Sequence, residues 1–178
     1  MKPNILFIII DSLRGDKVYG SGKTSKTPNI DALIHRGTYF EQAICSVDAT
    51  DPSLGCIFTG MYPFNSGISL YQNHFKARFL FEILNNYGYS RYAMVPNKSF
   101  FNIITKGFEL VETYSVDPYV LLYEGTGKRI IERLDSKVLV EPWIYFIHLM
   151  DLHPTGGTFI FPSKFSSVEY GQSQYEKA

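Results

Sequence analysis

A mostly parallel β-sheet sandwiched by helices is the fold class this sequence predicts, and three observations predict it. Residues 4–10 (Asn-Ile-Leu-Phe-Ile-Ile-Ile) form a short unbroken apolar run, rich in β-branched residues and without alternation. That is the pattern of a strand buried on both faces. Two later stretches, 89–95 and 143–148, have strand character as well. Between these runs lie segments with helix start and stop signals, so strand and helix alternate, as in α/β folds.

Taken in order, the first run ends abruptly at Asp11, which puts a carboxylate at the carboxyl end of a central strand. Open α/β sheets bind ligands at that edge, and a carboxylate there suits a hard cation. A residue capping the turn after the strand has the same signature. Thr27 and Pro28 then open a helix with Ile30, Leu33 and Ile34 on one side, ended by Gly37, and residues 38–43 follow as a short strand. Thr50-Asp51-Pro52-Ser53-Leu54 opens the next helix, with Asp51 as N-cap and Pro52 at the first helical position. Leu54, Cys56, Ile57 and Phe58 give it a buried side before Gly60 stops it. Thr50 is thereby expected just outside the positive end of the helix dipole, where free N–H groups favour a phosphate, a sulfate or an alkoxide-like nucleophile. Taken alone, the same string also describes an ordinary capped helix. Residues 79–87 form a further helix closed by Gly88, and 89–95 the strand after it. Residues 118–136 are mostly helical with an interruption near Gly125-Thr126-Gly127; 143–148 is a second buried strand, and from Pro162 the chain turns polar and loop-like.

The chain has 178 residues, enough for one domain with a sizeable core, and 17 basic residues balance 17 acidic ones. No net field favours nucleic acid or an anionic membrane, and no basic tract or RNA-binding aromatic signature restores such a role. The N-terminal apolar run is too short for a membrane span and lacks a cleavage site, so it is a core strand rather than a signal. Two cysteines without metal-type spacing are read as reduced thiols in a cytoplasmic protein. No internal repeat, low-complexity segment or linker interrupts the chain. A nucleotide-binding module is disfavoured by the lack of any Gly-x-Gly-x-x-Gly or phosphate-loop string after the first strand.

Several pieces in fixed order resemble the N-terminal portion of the sulfatase family, within the alkaline phosphatase superfamily. They are Pro3 to Asp11, Thr27-Pro28-Asn29-Ile30-Asp31-Ala32-Leu33, Gly37-Thr38-Tyr39-Phe40, the block from Thr50 to Pro63 with Gly67 after it, and Phe146-Ile147-His148-Leu149-Met150-Asp151-Leu152-His153. The resemblance runs over nearly the whole chain and implies an alkaline phosphatase-like fold, with residues 1–178 as the N-terminal part of a single catalytic domain. The departures are equally specific. Sulfatases carry Cys or Ser where this chain has Thr50, because that residue is oxidised to formylglycine, and a threonine cannot give that aldehyde. Leu54 replaces the usual Arg, Ser12 stands where many sulfatases have a second Asp, and Cys45 and Cys56 are off the register of the signature. Thr50 resembles instead the phosphoryl-transferring and phosphonate-cleaving branches, where an unmodified hydroxyl is a metal-bound nucleophile.

The resemblance therefore implies a metal-dependent hydrolase or transferase acting on a phosphate, phosphonate or sulfate ester. Asp11 and Thr50 are its expected ligands to a divalent cation (Mn, Mg, Zn or Ca), Thr50 and His153 its catalytic residues, and Asn97 and His148 its substrate-binding residues. His153 follows the buried strand onto the ligand edge, where an imidazole can donate to an oxyanion or protonate a leaving oxygen. His148 is also readable as a hydrogen-bonded histidine at a strand end, with Asp151 orienting either ring or making a turn. Asn97 stands roughly where many sulfatases have Gly-Lys, with Lys98 beside it; a loop Asn satisfying its own backbone fits equally. The Asp-His or Asp-Asn pair that completes the family's metal site has no counterpart after His153, so the chain is expected to be truncated at its C-terminus. The expected partners are a small anionic ester substrate and either the missing C-terminal part or further copies of the chain. The alternative function is a non-catalytic remnant that binds an anion or a partner chain.

Overall fold

The computed structural model describes residues 2–67, 78–115, 125–150 and Leu152. Four strands, β1 (Ile5–Ile10), β2 (Ser90–Pro96), β3 (Leu110–Tyr114) and β4 (Trp143–Leu149), form one sheet in the order β1-β4-β2-β3. Every neighbouring pair is parallel. The helices are α1 (Gly15–Val18), α2 (Pro28–Arg36), α3 (Thr50–Thr59), α4 (Pro63–Ser66), α5 (Leu80–Asn86), α6 (Ser99–Ile104) and α7 (Thr126–Asp135). The expected α/β class is therefore the observed one.

Parallel pairing makes all four carboxyl ends fall on one edge of the sheet. The register runs from Ile5 opposite Ile144 to Ile10 opposite Leu149, and from Ser90 opposite Trp143 to Met94 opposite Ile147. β2 and β4 are the interior strands, and Met94, Val95, Phe146 and Ile147 on them are fully buried. One face packs Ala93, Val95, Ile144 and Phe146 against Leu54 and Phe58 of α3, Phe81 of α5, and Phe100, Phe101 and Ile104 of α6. The rings of Phe58, Phe81 and Phe146 lie 4.7–5.5 Å apart between centroids, edge-on or tilted, as aromatic quadrupoles prefer. The opposite face gathers Tyr92, Met94, Tyr114, Tyr145 and Ile147, with Ile130 and Leu134 of α7 against them.

Three expectations need correction. β1 is not a central strand buried on both faces: among the described residues it pairs with β4 alone, and Leu6 and Ile8 are 43% and 46% exposed. An apolar run specifies a strand but not how many neighbours cover it. Residues 38–43 form no strand; all are exposed, and a strand without a ladder partner has unpaired backbone and no packed face. Helix α3 starts at Thr50, with Ala49 as N-cap and Ser53 N–H donating to the Ala49 carbonyl at 3.0 Å. Pro52 does not fix the start, because no first-turn N–H has an intrahelical acceptor and proline fits anywhere there. The interruption expected near Gly125-Thr126-Gly127 coincides with the start of α7, whose N-cap is Gly125 at φ +65°. Residues 118–124, and those from Pro162 onward, lie outside the described residues.

Other expectations hold. α2 begins at Pro28 with Gly37 just past its end, although Leu33 is 63% exposed while Ile30 and Ile34 are half-buried. Gly60 ends α3 at φ +68°, a left-handed conformation open to glycine without a Cβ penalty. α5, β2 and β4 lie within a residue of the expected bounds.

Candidate functional site

The site begins where β1 stops. Asp11 N–H still donates to the Leu149 carbonyl at 2.8 Å, so the β1–β4 ladder carries Asp11 to the carboxyl edge of the sheet in a defined orientation. Ser12 then turns the chain with φ +59°, an uncommon left-handed conformation for a residue with a Cβ. Such strain, of order 1–3 kcal/mol, concentrates at functional sites.

Helix α3 brings the hydroxyl. Thr50, Leu54 and Phe58 follow one another at four-residue spacing, which puts them near one face of a helix. Leu54 and Phe58 are each 2% exposed and seated in the core, so the same face directs the first turn of α3 toward the sheet edge. Thr50 Oγ1 donates to Asp11 Oδ2 at 3.0 Å. From β4, His148 Nε2 meets the same carboxylate oxygen at 3.1 Å, and Ser12 Oγ reaches Oδ1 at 3.3 Å. The imidazole of His148 is 1% exposed and packs on the Phe101 ring at 4.8 Å.

A cavity of about 460 Å³ opens at this edge. Asp11, Ser12, Thr50, Ser53 and His148 contribute to its wall, with Leu13, Val47, Leu54 and Ile57 as apolar lining and Asp48 and Cys45 beside them. Asp51, next to Thr50, has its carboxyl pushed above the usual range: burial raises it most, the Asp11 charge adds to that, and the Lys98 charge opposes it. Leu54, 2% exposed, lends the wall an apolar surface and no charge.

Asp11 and Thr50 meet at one edge of the sheet, and His148 joins them there. Asn97 stands at the same edge, just past β2; its N–H donates to the Tyr114 carbonyl at 3.0 Å, its side chain is exposed, and it is not part of the cavity wall. His153 and Asp151 lie outside the described residues. Sequence reasoning did not foresee that His148 and Thr50 share one carboxylate oxygen; the parallel pairing of β1 with β4 aligns them, and only the register shows it. Asp11 and Thr50 offer oxygen donors of the type hard cations take, but among the described residues no group of three or more His, Cys, Asp or Glu forms a metal site. The donor type fits a divalent ion, and the described residues supply only part of a coordination shell. No helix among the described residues is long and apolar enough to cross a membrane.

The profile of the sulfatase family matches residues 3–175 of the chain. Among curated relatives, an ulvan-active sulfatase from Formosa agariphila is 34% identical over 70 residues, which is 39% of this chain and 14% of that protein. An arylsulfatase from Clostridium perfringens is 40% identical over 62 residues, 34% of this chain and 13% of that protein. Human steryl-sulfatase is 36% identical over 69 residues, 38% of this chain and 12% of that protein. Among solved structures, the C-terminal periplasmic domain of a phosphoethanolamine transferase from Campylobacter jejuni superimposes with a TM-score of 0.55 at 20% identity, over 92% of this chain and 50% of that one. At that identity the likeness is one of fold. The matched stretches therefore span a small fraction of the curated relatives and half of the structural neighbour.

Proposed function

The chain belongs to the sulfatase family, and on that premise we propose that it is the part of a phosphate, phosphonate or sulfate ester hydrolase or transferase that carries the nucleophile, Thr50. The observation that carries the proposal is the Thr50 hydroxyl at the first turn of α3, 3.0 Å from a carboxylate at the ligand edge of a parallel sheet. Two residues separated by 39 positions meet there through fold alone.

A divalent ion held by Asp11 and Thr50 would neutralise the anionic substrate and make the hydroxyl easier to ionise. The residues do the rest. Asp11 Oδ2 accepts the Thr50 hydroxyl hydrogen bond and sets the direction in which Oγ is presented to the cavity. Oγ attacks phosphorus or sulfur in line, the bond to the ester's leaving oxygen breaks, and the proton leaves Thr50 along its bond to Asp11. The leaving oxygen takes a proton from His153, the acid this mechanism assigns. Water or a second alcohol then displaces the group from Thr50, giving hydrolysis or transfer. The free N–H groups of the first turn of α3 favour the negative charge of the transferred group. Thr50 acts unmodified, and Asn97 is the proposed amide donor to a substrate oxygen from the end of β2.

The test is Thr50→Ala against a panel of aryl phosphates and sulfates with added manganese or magnesium. Turnover is expected to be lost with the circular dichroism spectrum unchanged. Full activity in that variant would remove threonine from the mechanism.

A further inference from the structure

His148 borders the cavity with an imidazole only 1% exposed, and its Nε2 meets Asp11 rather than Thr50. On the reading of Asp11 and Thr50 as the reacting residues, we propose that His148 is a positioning residue: its Nε2–H holds the Asp11 carboxylate in the one orientation that accepts the Thr50 hydroxyl. Ionised carboxylate oxygens accept only, so the ring nitrogen 3.1 Å from Asp11 Oδ2 is the one that carries the proton. The other ring nitrogen, Nδ1, is buried with no hydrogen-bond partner among the described residues. A buried N–H left without an acceptor is rarer and costlier than a lone pair left without a donor, so Nδ1 is bare and Nε2 protonated.

The ring cannot swing to another partner. The Phe101 ring lies 4.8 Å from it and Phe146 6.3 Å, the Tyr114 hydroxyl donates to the His148 backbone carbonyl, and β4 holds the residue opposite Ile9 of β1. A rigid donor aimed at a carboxylate selects that carboxylate's rotamer, because a charged acceptor bonded to a fixed N–H loses a charge-assisted hydrogen bond on turning away. Thr50 shares the selected oxygen, and so the direction of its Oγ is inherited from β4 through Asp11. That division of labour gives the strand a role that runs through Asp11.

Two measurements on the full chain test this, neither of which requires turnover. Long-range proton–nitrogen correlation spectra of the unaltered protein should show His148 protonated at Nε2 and bare at Nδ1; a bare Nε2 overturns the proposal. The Thr50 methyl resonance then reports on the hydroxyl's partner. His148→Leu, which keeps most of the volume, should move that resonance to the position it takes in Asp11→Ala, while His148→Gln, which keeps an N–H at a similar reach, should return it to the parent position. An unmoved resonance in His148→Leu, or the same displacement in both variants, refutes the positioning role. Should Thr50→Ala retain full turnover while these signals behave as stated, the functional reading fails and the positioning geometry stands, so the two are separable.

Discussion

Truncating Phe58 to alanine asks how firmly the site's helix is held, because this ring fastens the far end of α3 roughly 12 Å along the axis from Thr50 at 1.5 Å per residue. Phe58 is 2% exposed and touches three aromatic rings, Phe81 at 4.7 Å, Phe146 at 5.2 Å and Phe7 at 5.9 Å between centroids. Buried Phe→Ala changes cost about 3–5 kcal/mol, and the dense ring contacts put this one near about 4 kcal/mol. That is a large part of the about 5–15 kcal/mol that holds a typical domain together. With a urea slope of about 2 kcal/mol per molar, the unfolding midpoint should fall by about 2 M. The assay is urea denaturation followed by tyrosine and tryptophan fluorescence, with Phe64→Ala as reference. Phe64 is 81% exposed, and its truncation should cost no more than about 0.5 kcal/mol. A midpoint shift below about 0.5 M for Phe58→Ala would refute the account of α3 as anchored through this ring.

Gly60→Ala should destabilise by about 1–2 kcal/mol, read as a lower urea midpoint, since φ is +68° there while no atom lies within 4 Å of an added Cβ; an unchanged midpoint would mean that α3 ends in another conformation. Asp51→Asn should stabilise at pH 7. Burial raises the folded-state pKa of this carboxyl, so its charge opposes folding at high pH, and the contribution favouring the fold is full below the unfolded pKa of about 4 and lost as pH rises through the folded value. Thermal melts of both proteins from pH 3 to 8 should therefore converge at the acid end and separate toward neutrality, and a gap that widens toward acid contradicts the assignment.

What the sequence discloses and what it withholds divide along physical lines. Asp11 at a strand's carboxyl end is legible because an apolar run broken by a carboxylate is a local signal, and the ends of α2 and α3 are legible because Gly37 and Gly60 are local as well. The place of β1 in the sheet is not, since Leu6 and Ile8 look the same in sequence whether or not a neighbour covers them. β3 escapes notice because its five residues include Glu112, whose carboxylate makes a two-pronged ion pair with Arg133 at 3.0 Å; only that partner on α7 makes the charge tolerable in a strand. The short helix α6 escapes because six residues hold too few turns to display a period. For the site, the residue types were readable and their mutual contacts were not. His148 could be given two roles from its motif, and choosing between them requires knowing that β4 lies directly against β1.

That adjacency has a consequence for how the molecule comes into being. Asp11 and His148 are 137 positions apart, and among the described strands β1 has no partner but β4. During synthesis, which proceeds from the N-terminus, β2 and β3 can pair soon after they emerge, while a strand of isoleucine, leucine and phenylalanine waits for residues 143–149 before its hydrogen bonds can close. Long-range parallel pairing is slow and leaves apolar edges open to other chains in the interval. The carboxylate at the end of that waiting strand reaches Thr50 and His148 in their final arrangement only after the largest loop in the described topology has closed.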